Sequence, residues 1–136
     1  MNLISYKYKR KEGTKFAVEY AKLANGSLPA KEFIDGLAAL ERTRIDALIK
    51  RFHETGVIQN REQMKNLKGN QFFEFKRFKT RILGYYPSQR RGSIVLTNGF
   101  VKKSDGTPKN QIDRAERIRE EYERLLNNAP RDQKRR

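Results

Sequence analysis

Gln71-Phe72-Phe73-Glu74-Phe75-Lys76-Arg77-Phe78-Lys79-Thr80-Arg81 decides how this chain is read. Side chains of a strand alternate between faces, so 72–78 reads as a strand with Phe73 and Phe75 inward and Glu74 and Lys76 outward. A second strand follows at 81–86, then a basic turn at 87–92. Ile94-Val95-Leu96 is an unbroken apolar run, the pattern of the most buried strand of a sheet. Three strands in succession predict a meander.

Upstream of the meander, residues 3–9 alternate around Ile4, Tyr6 and Tyr8. Phe16, Val18 and Tyr20 alternate again beyond Glu12-Gly13, which predicts an N-terminal β-hairpin. Residues 27–56 are helical in pattern. Pro29 suits a first turn, where its missing N–H is no loss. Phe33, Leu37 and Leu40 follow at helix spacing, then Ile45, Leu48, Ile49 and Phe52, with a break expected at Glu41-Arg42-Thr43-Arg44. Gly56 is placed as a left-handed cap. Residues 64–69 read as a connector. Thr107-Pro108 opens a last helix carrying Ile112, Ala115, Ile118, Tyr122 and Leu125 on one face, which Asn127, Asn128 and Pro130 end. The expected fold is α+β: a small antiparallel sheet with an N-terminal helical hairpin on one face and a C-terminal helix. One domain is expected over 1–130, with a charged tail at 131–136.

Charge narrows the partner. Against 31 Lys and Arg stand 16 Asp and Glu, a net +15 in 136 residues. Self-repulsion of that size opposes a compact state and is usually kept for a polyanion. The plainer reading is a solvated surface; a basic domain this small fits nucleic acid better. There is no cysteine, hence no disulfide or thiolate site, and the usage fits a cytoplasmic protein. No apolar run suggests a signal peptide or a membrane span. One histidine, His53, beside Phe52 on a helix, reads as a solvated or capping residue. With no second His and no Cys, no metal site and no cofactor are expected. Phosphate-binding glycine loops are absent.

What remains is cationic and aromatic. Rings that stack bases and cations that hold phosphates suit single-stranded RNA. Phe73, Phe75 and Phe78 are read as core, because small domains must bury their rings. Of Tyr85 and Tyr86 one must face away from the core, and Tyr85 is carried forward as an RNA contact. Lys68, Arg77, Lys79, Arg90 and Arg91 are the accompanying cations.

Residues 67–119 resemble the phage-derived branch of HigB-type toxins in the RelE/ParE superfamily. The likeness rests on Leu67-Lys68-Gly69, on Phe73-Glu74-Phe75-Lys76 and on Arg81 opening the next strand. It continues through Gly99-Phe100-Val101-Lys102-Lys103, Thr107-Pro108, Ile112 and Ala115. Val18-Glu19-Tyr20, Pro29, Glu32-Phe33 and Leu37 fit more loosely. Two departures stand out: Lys76 where the family commonly has Arg, and an extra N-terminal strand. The resemblance implies the RelE-like toxin of a type II toxin–antitoxin pair, an endoribonuclease cutting mRNA on the ribosome and neutralised by a small antitoxin, expected to be a helix-turn-helix protein. Metal-free cutting of RNA by its own 2′-hydroxyl needs a base, cations for the phosphorane and an acid. Lys76, crowded by Arg77 and Arg81, is the candidate base, with Glu74 as the alternative. Arg81 and Lys102 or Lys103 would hold the phosphate. Two rivals remain: a ParE-like gyrase inhibitor, and a non-catalytic nucleic-acid-binding protein of a phage.

Overall fold

The computed structural model describes residues 4–67, 69, 71–103 and 106–128. Lys68 and the tail at 131–136 lie outside the described residues. Chain order is β1 (Ser5–Tyr8), β2 (Ala17–Tyr20), α1 (Pro29–Asp35), α2 (Ala39–Thr55), β3 (Met64–Asn66), β4 (Phe72–Arg77), β5 (Thr80–Tyr85), β6 (Ser93–Val101) and α3 (Lys109–Asn127). The strands form one six-stranded sheet in the order β1-β2-β6-β5-β4-β3.

This architecture corrects the expected fold. The sheet is mixed, because β2 runs parallel to β6, with Val18 opposite Ile94 and Tyr20 opposite Leu96. Two strands precede the helices, so the chain does not begin with a helical hairpin. Alternation within a strand reports which side chains share a face; it carries no information on the direction of the neighbour. The β1–β2 hairpin and the β4–β5–β6 meander do form. Residues 64–66, read as connector, instead add β3 to the edge beside β4.

Helices cover both faces. On one, α1 lies over β6 and β2 while α2 lies over β4. Ile34, Ile45, Leu48, Ile49 and Phe52 meet Val18, Phe73, Phe75, Ile82, Ile94 and Leu96 there. Gly99 admits this approach: a Cβ on it would stand 2.2 Å from the Phe33 ring. On the other face α3 packs Ala115, Ile118 and Tyr122 against Phe72, Leu83, Tyr85, Val95 and Phe100. Along most of its length this second face is a core of its own.

The break between α1 and α2 comes at Gly36 to Ala38, earlier than expected. Ala38 is extended at φ −57°, ψ 149°, and the Gly36 N–H reaches back to the Glu32 and Phe33 carbonyls. Leu40 therefore leaves the apolar stripe and is 61 % exposed. Arg42, expected to break the helix, instead donates to the carbonyls of Asp35 and Leu37, both at 3.3 Å, and so holds the end of α1 from outside. Gly56 is the left-handed cap, at φ 74°. His53 is buried rather than solvated, with Nδ1 2.5 Å from the Phe16 carbonyl oxygen and its ring stacked on Tyr8.

A buried ion-pair network ties β2, the β5–β6 loop and α3 together. Glu19 is fully buried and takes two hydrogen bonds from Arg90, 2.8 and 3.0 Å, and one from the Tyr122 hydroxyl, 2.8 Å. Arg90 also donates twice to Glu123, which accepts from the Tyr85 hydroxyl. Burial works against the Arg90 charge, but Glu123 and Glu19 outweigh it and raise its pKa. Removing one partner of a buried pair strands the other charge, at a cost of roughly 3–5 kcal/mol. Arg90→Ala is accordingly expected to lose about that much in urea unfolding, with part regained in Arg90→Ala/Glu19→Gln. A loss under about 1 kcal/mol would place the network among ordinary surface pairs.

Candidate nucleic-acid interface

A one-residue irregularity in β6 assembles the basic cluster. Leu83 pairs with Asn98, but Gly84 pairs with Leu96, so Thr97 is the extra residue. Bulges of this kind re-aim the side chains that follow them. Ile94 and Leu96 face α1 and α2, and Val95 faces α3. Beyond the bulge the assignment inverts, and Asn98 and Phe100 face α3. Lys102 follows with the same parity, its N–H bonded to the Lys79 carbonyl at 2.7 Å.

Cross-strand pairing supplies the rest. Lys76 lies opposite Arg81, Arg81 opposite Phe100, and Lys65 opposite Glu74. Lys65, Lys76, Arg81 and Lys102 thus meet near the end of the α3-covered face, where the helix begins. The Thr107 hydroxyl donates to Glu74 at 2.6 Å, and Asn98 Nδ2 donates to Gln111 Oε1 at 3.2 Å, fixing that end of α3 over the strands.

Within the cluster the groups differ in freedom. Glu74 is buried, accepts from Thr107, and has Oε1 3.8 Å from Arg81 Nε. Arg81 is only 6 % exposed, and its Nη1 donates to the carbonyls of Phe78 and Thr80. Its Nη2 makes no hydrogen bond among the described residues. Lys76 is half-buried, and among the described residues its ammonium makes a single hydrogen bond, 3.3 Å, to the Arg61 carbonyl. Burial first, then Lys65 and Arg81, lower its pKa; Glu74 opposes this and Lys102 adds to it. An amine so placed holds its proton more weakly than a free lysine.

The other sequence candidates fall in three places. Arg77 ends β4 and Lys79 lies in the β4–β5 turn, while Lys103 and Arg91 are exposed. Two candidates need correcting. Tyr85 is 2 % exposed with its hydroxyl on Glu123, so its ring is core; Tyr86, half exposed, is the member of the pair that faces outward. Arg90 is the centre of the buried network and is committed to Glu19 and Glu123. Lys65 was missed because β3 was read as a loop, and its register beside Glu74 follows only from pairing. Among the described residues no three His, Cys, Asp or Glu side chains could hold a metal ion. Among them, too, no helix is long and apolar enough to cross a membrane.

Comparison with known proteins gives the following. No curated protein matches the chain. Among solved structures it is similar to a RelB–RelE antitoxin–toxin complex from Methanococcus jannaschii, at 12 % identity and a TM-score of 0.44, over 62 % of this chain and 88 % of that one. Phage-derived protein Gp49-like is the family that matches, over residues 32–120. That span takes in most of α1, all of α2, the β3–β6 strands with the basic cluster, and the first part of α3. It is more than half of the chain and encloses the 67–119 stretch whose motifs resemble RelE-superfamily toxins; the protein is a member of the phage-derived, Gp49-like family of RelE-like toxins.

Proposed function

We propose that this toxin acts as an endoribonuclease on mRNA, most effectively on the ribosome, and that a small antitoxin neutralises it. One observation carries the reading: four cations, one of them with a weakened hold on its proton, converge beside a buried carboxylate where β3, β4, β5, β6 and the start of α3 meet. Attack of the 2′-hydroxyl on the adjacent phosphate closes a cyclic phosphate and breaks the bond to the 5′-oxygen. The protein must therefore accept the hydroxyl proton, hold the charge of the phosphorane and let the leaving oxygen take up a proton.

Lys76 is assigned the base. Its ammonium makes one long hydrogen bond among the described residues, and burial, then the nearby cations, favour the neutral amine over the opposing pull of Glu74. Glu74, the alternative at the sequence level, is occupied by Thr107 and Arg81 and is better suited to positioning Arg81. Arg81, held by two carbonyls, presents a fixed guanidinium edge to the phosphorane. A fixed charge costs little reorganisation as negative charge develops. Lys102, on the same face, neutralises a second phosphate oxygen. Lys103, Lys79 and Arg91 contribute general attraction to the RNA backbone. Nothing in this set calls for a metal ion, because base and charge come from side chains.

Expression of the chain alone is expected to arrest bacterial growth, and Lys76→Met to relieve the arrest. Loss of a base costs about a hundredfold or more in cleavage rate, whereas removal of one contact of this kind leaves folding intact. Equal toxicity of the two proteins would remove Lys76 from the site. Single-turnover cleavage should also depend on pH in a definite direction. The base works unprotonated, so the rate climbs as pH rises and levels off earlier than an ordinary lysine would allow. Burial first and neighbouring positive charge second set that early plateau, so Lys102→Gln, which removes one of the smaller contributions, should move it slightly to higher pH. A profile unmoved by Lys102→Gln would contradict the electrostatic coupling.

A further inference from the structure

We infer that Phe78, with Arg44, Arg51 and Arg77, forms a second RNA contact on the α2 side of the sheet, in which the ring stacks one base and the arginines hold the neighbouring phosphates. This rests on the RNA reading above and extends it round the β4–β5 turn to the opposite face.

Phe78 is the anomaly that prompts it. Arg77 pairs with Thr80, so Phe78-Lys79 forms a two-residue hairpin loop. Phe78 takes φ 51°, and among the described residues no other non-glycine has a positive φ. That region suits Gly, Asn or Asp, and a bulky residue there is strained. Burial does not compensate, since Phe78 is 67 % exposed. The sequence pattern had assigned this ring to the core, and the structure places it outside. Neither the turn nor the core explains a phenylalanine at this position.

Its surroundings supply a reason. The Arg77 and Arg44 guanidinium carbons lie 4.9 and 5.6 Å from the ring centroid. Both arginines also line a groove of about 360 Å³ with Arg51 and Gln63, over an apolar floor of Ala47 and Leu48. Arg51 donates to Gln63 at 2.8 Å, and none of the three arginines forms an ion pair among the described residues. Glu41, one turn before Arg44 on α2, is engaged by the Thr80 hydroxyl. A base settling on the ring displaces one guanidinium, which can then reach a phosphate. Ring and charge are used together in this way by proteins that bind single strands without reading sequence.

The turn is also joined to the proposed catalytic cluster. Arg81 Nη1 donates to the Phe78 carbonyl, so the guanidinium placed for the phosphorane also holds the strained residue in place. An RNA strand crossing the Lys76–Arg81–Lys102 cluster would reach Phe78 by passing over the hairpin tip.

The test uses the full-length protein and a short single-stranded RNA carrying a fluorescent adenine analogue, titrated at several salt concentrations. Phe78→Gly is the informative variant, because glycine accepts the positive φ: its melting midpoint should hold or rise. Its RNA affinity should fall about tenfold, the scale of one lost base stack, and stacking should no longer quench the analogue. Phe78→Trp should keep both. Arg44→Gln/Arg51→Gln should flatten the salt dependence, because fewer counterions are released. Unchanged affinity in Phe78→Gly, beside a wild type that binds RNA, overturns this inference and leaves the endoribonuclease reading standing. A fall in affinity accompanied by an equal fall in thermal stability overturns it too. Absence of RNA binding by the wild type overturns both readings.

Discussion

Burial of β6 on both faces organises this protein. The strand is covered from Ser93 to Phe100, by α1 and α2 on one side and by α3 on the other. It pairs with β2 along one edge and β5 along the other. A strand so enclosed must be apolar towards both layers, which is why Ile94-Val95-Leu96 carries no alternation. Every element that contributes to the basic cluster is positioned by reference to it. Arg81 is in register with Phe100, Lys76 with Arg81, and α3 is fixed through Asn98. The buried Glu19–Arg90–Glu123 group fastens the same layers from the opposite end of the strands.

Much of this was legible in the chain. Phe73 and Phe75 pointing inward, the Gly56 cap and the Pro108 helix start follow from periods of two and 3.6 and from turn chemistry. Three features were not. The parallel β2–β6 pairing has no local signature. Neither has the inversion at Thr97, yet it carries Phe100 and Lys102 to the face opposite Ile94 and Leu96. Regular alternation from Ile94 would have sent Lys102 to the α1–α2 side. The third concerns polar residues. Arg90 and Arg91 are neighbours of identical type, and only the fold distinguishes the one held between two glutamates from the one in solvent. Tyr85 and Tyr86 divide in the same way.

A net charge of +15 would be a liability if spread evenly. Here its most consequential members are sorted by environment. Arg90 is neutralised within the protein. Lys65, Lys76, Arg81 and Lys102 face one another with a single carboxylate, Glu74, among them in the described residues. Mutual repulsion in such a cluster costs stability, and together with burial, the larger cause, it lowers the affinity of Lys76 for a proton. Crowding of this kind is how a lysine becomes usable as a base near neutral pH.

The central claim is that this cluster cuts RNA through the substrate's own 2′-hydroxyl. The most direct measurement is the chemistry of the ends released from mRNA on translating ribosomes, with a chelator present throughout. The account predicts a cyclic phosphate on the upstream fragment and a free 5′-hydroxyl on the downstream one, undiminished by chelation. Fragments ending in a 3′-hydroxyl and a 5′-phosphate, or intact message under conditions where the protein binds it, would contradict it.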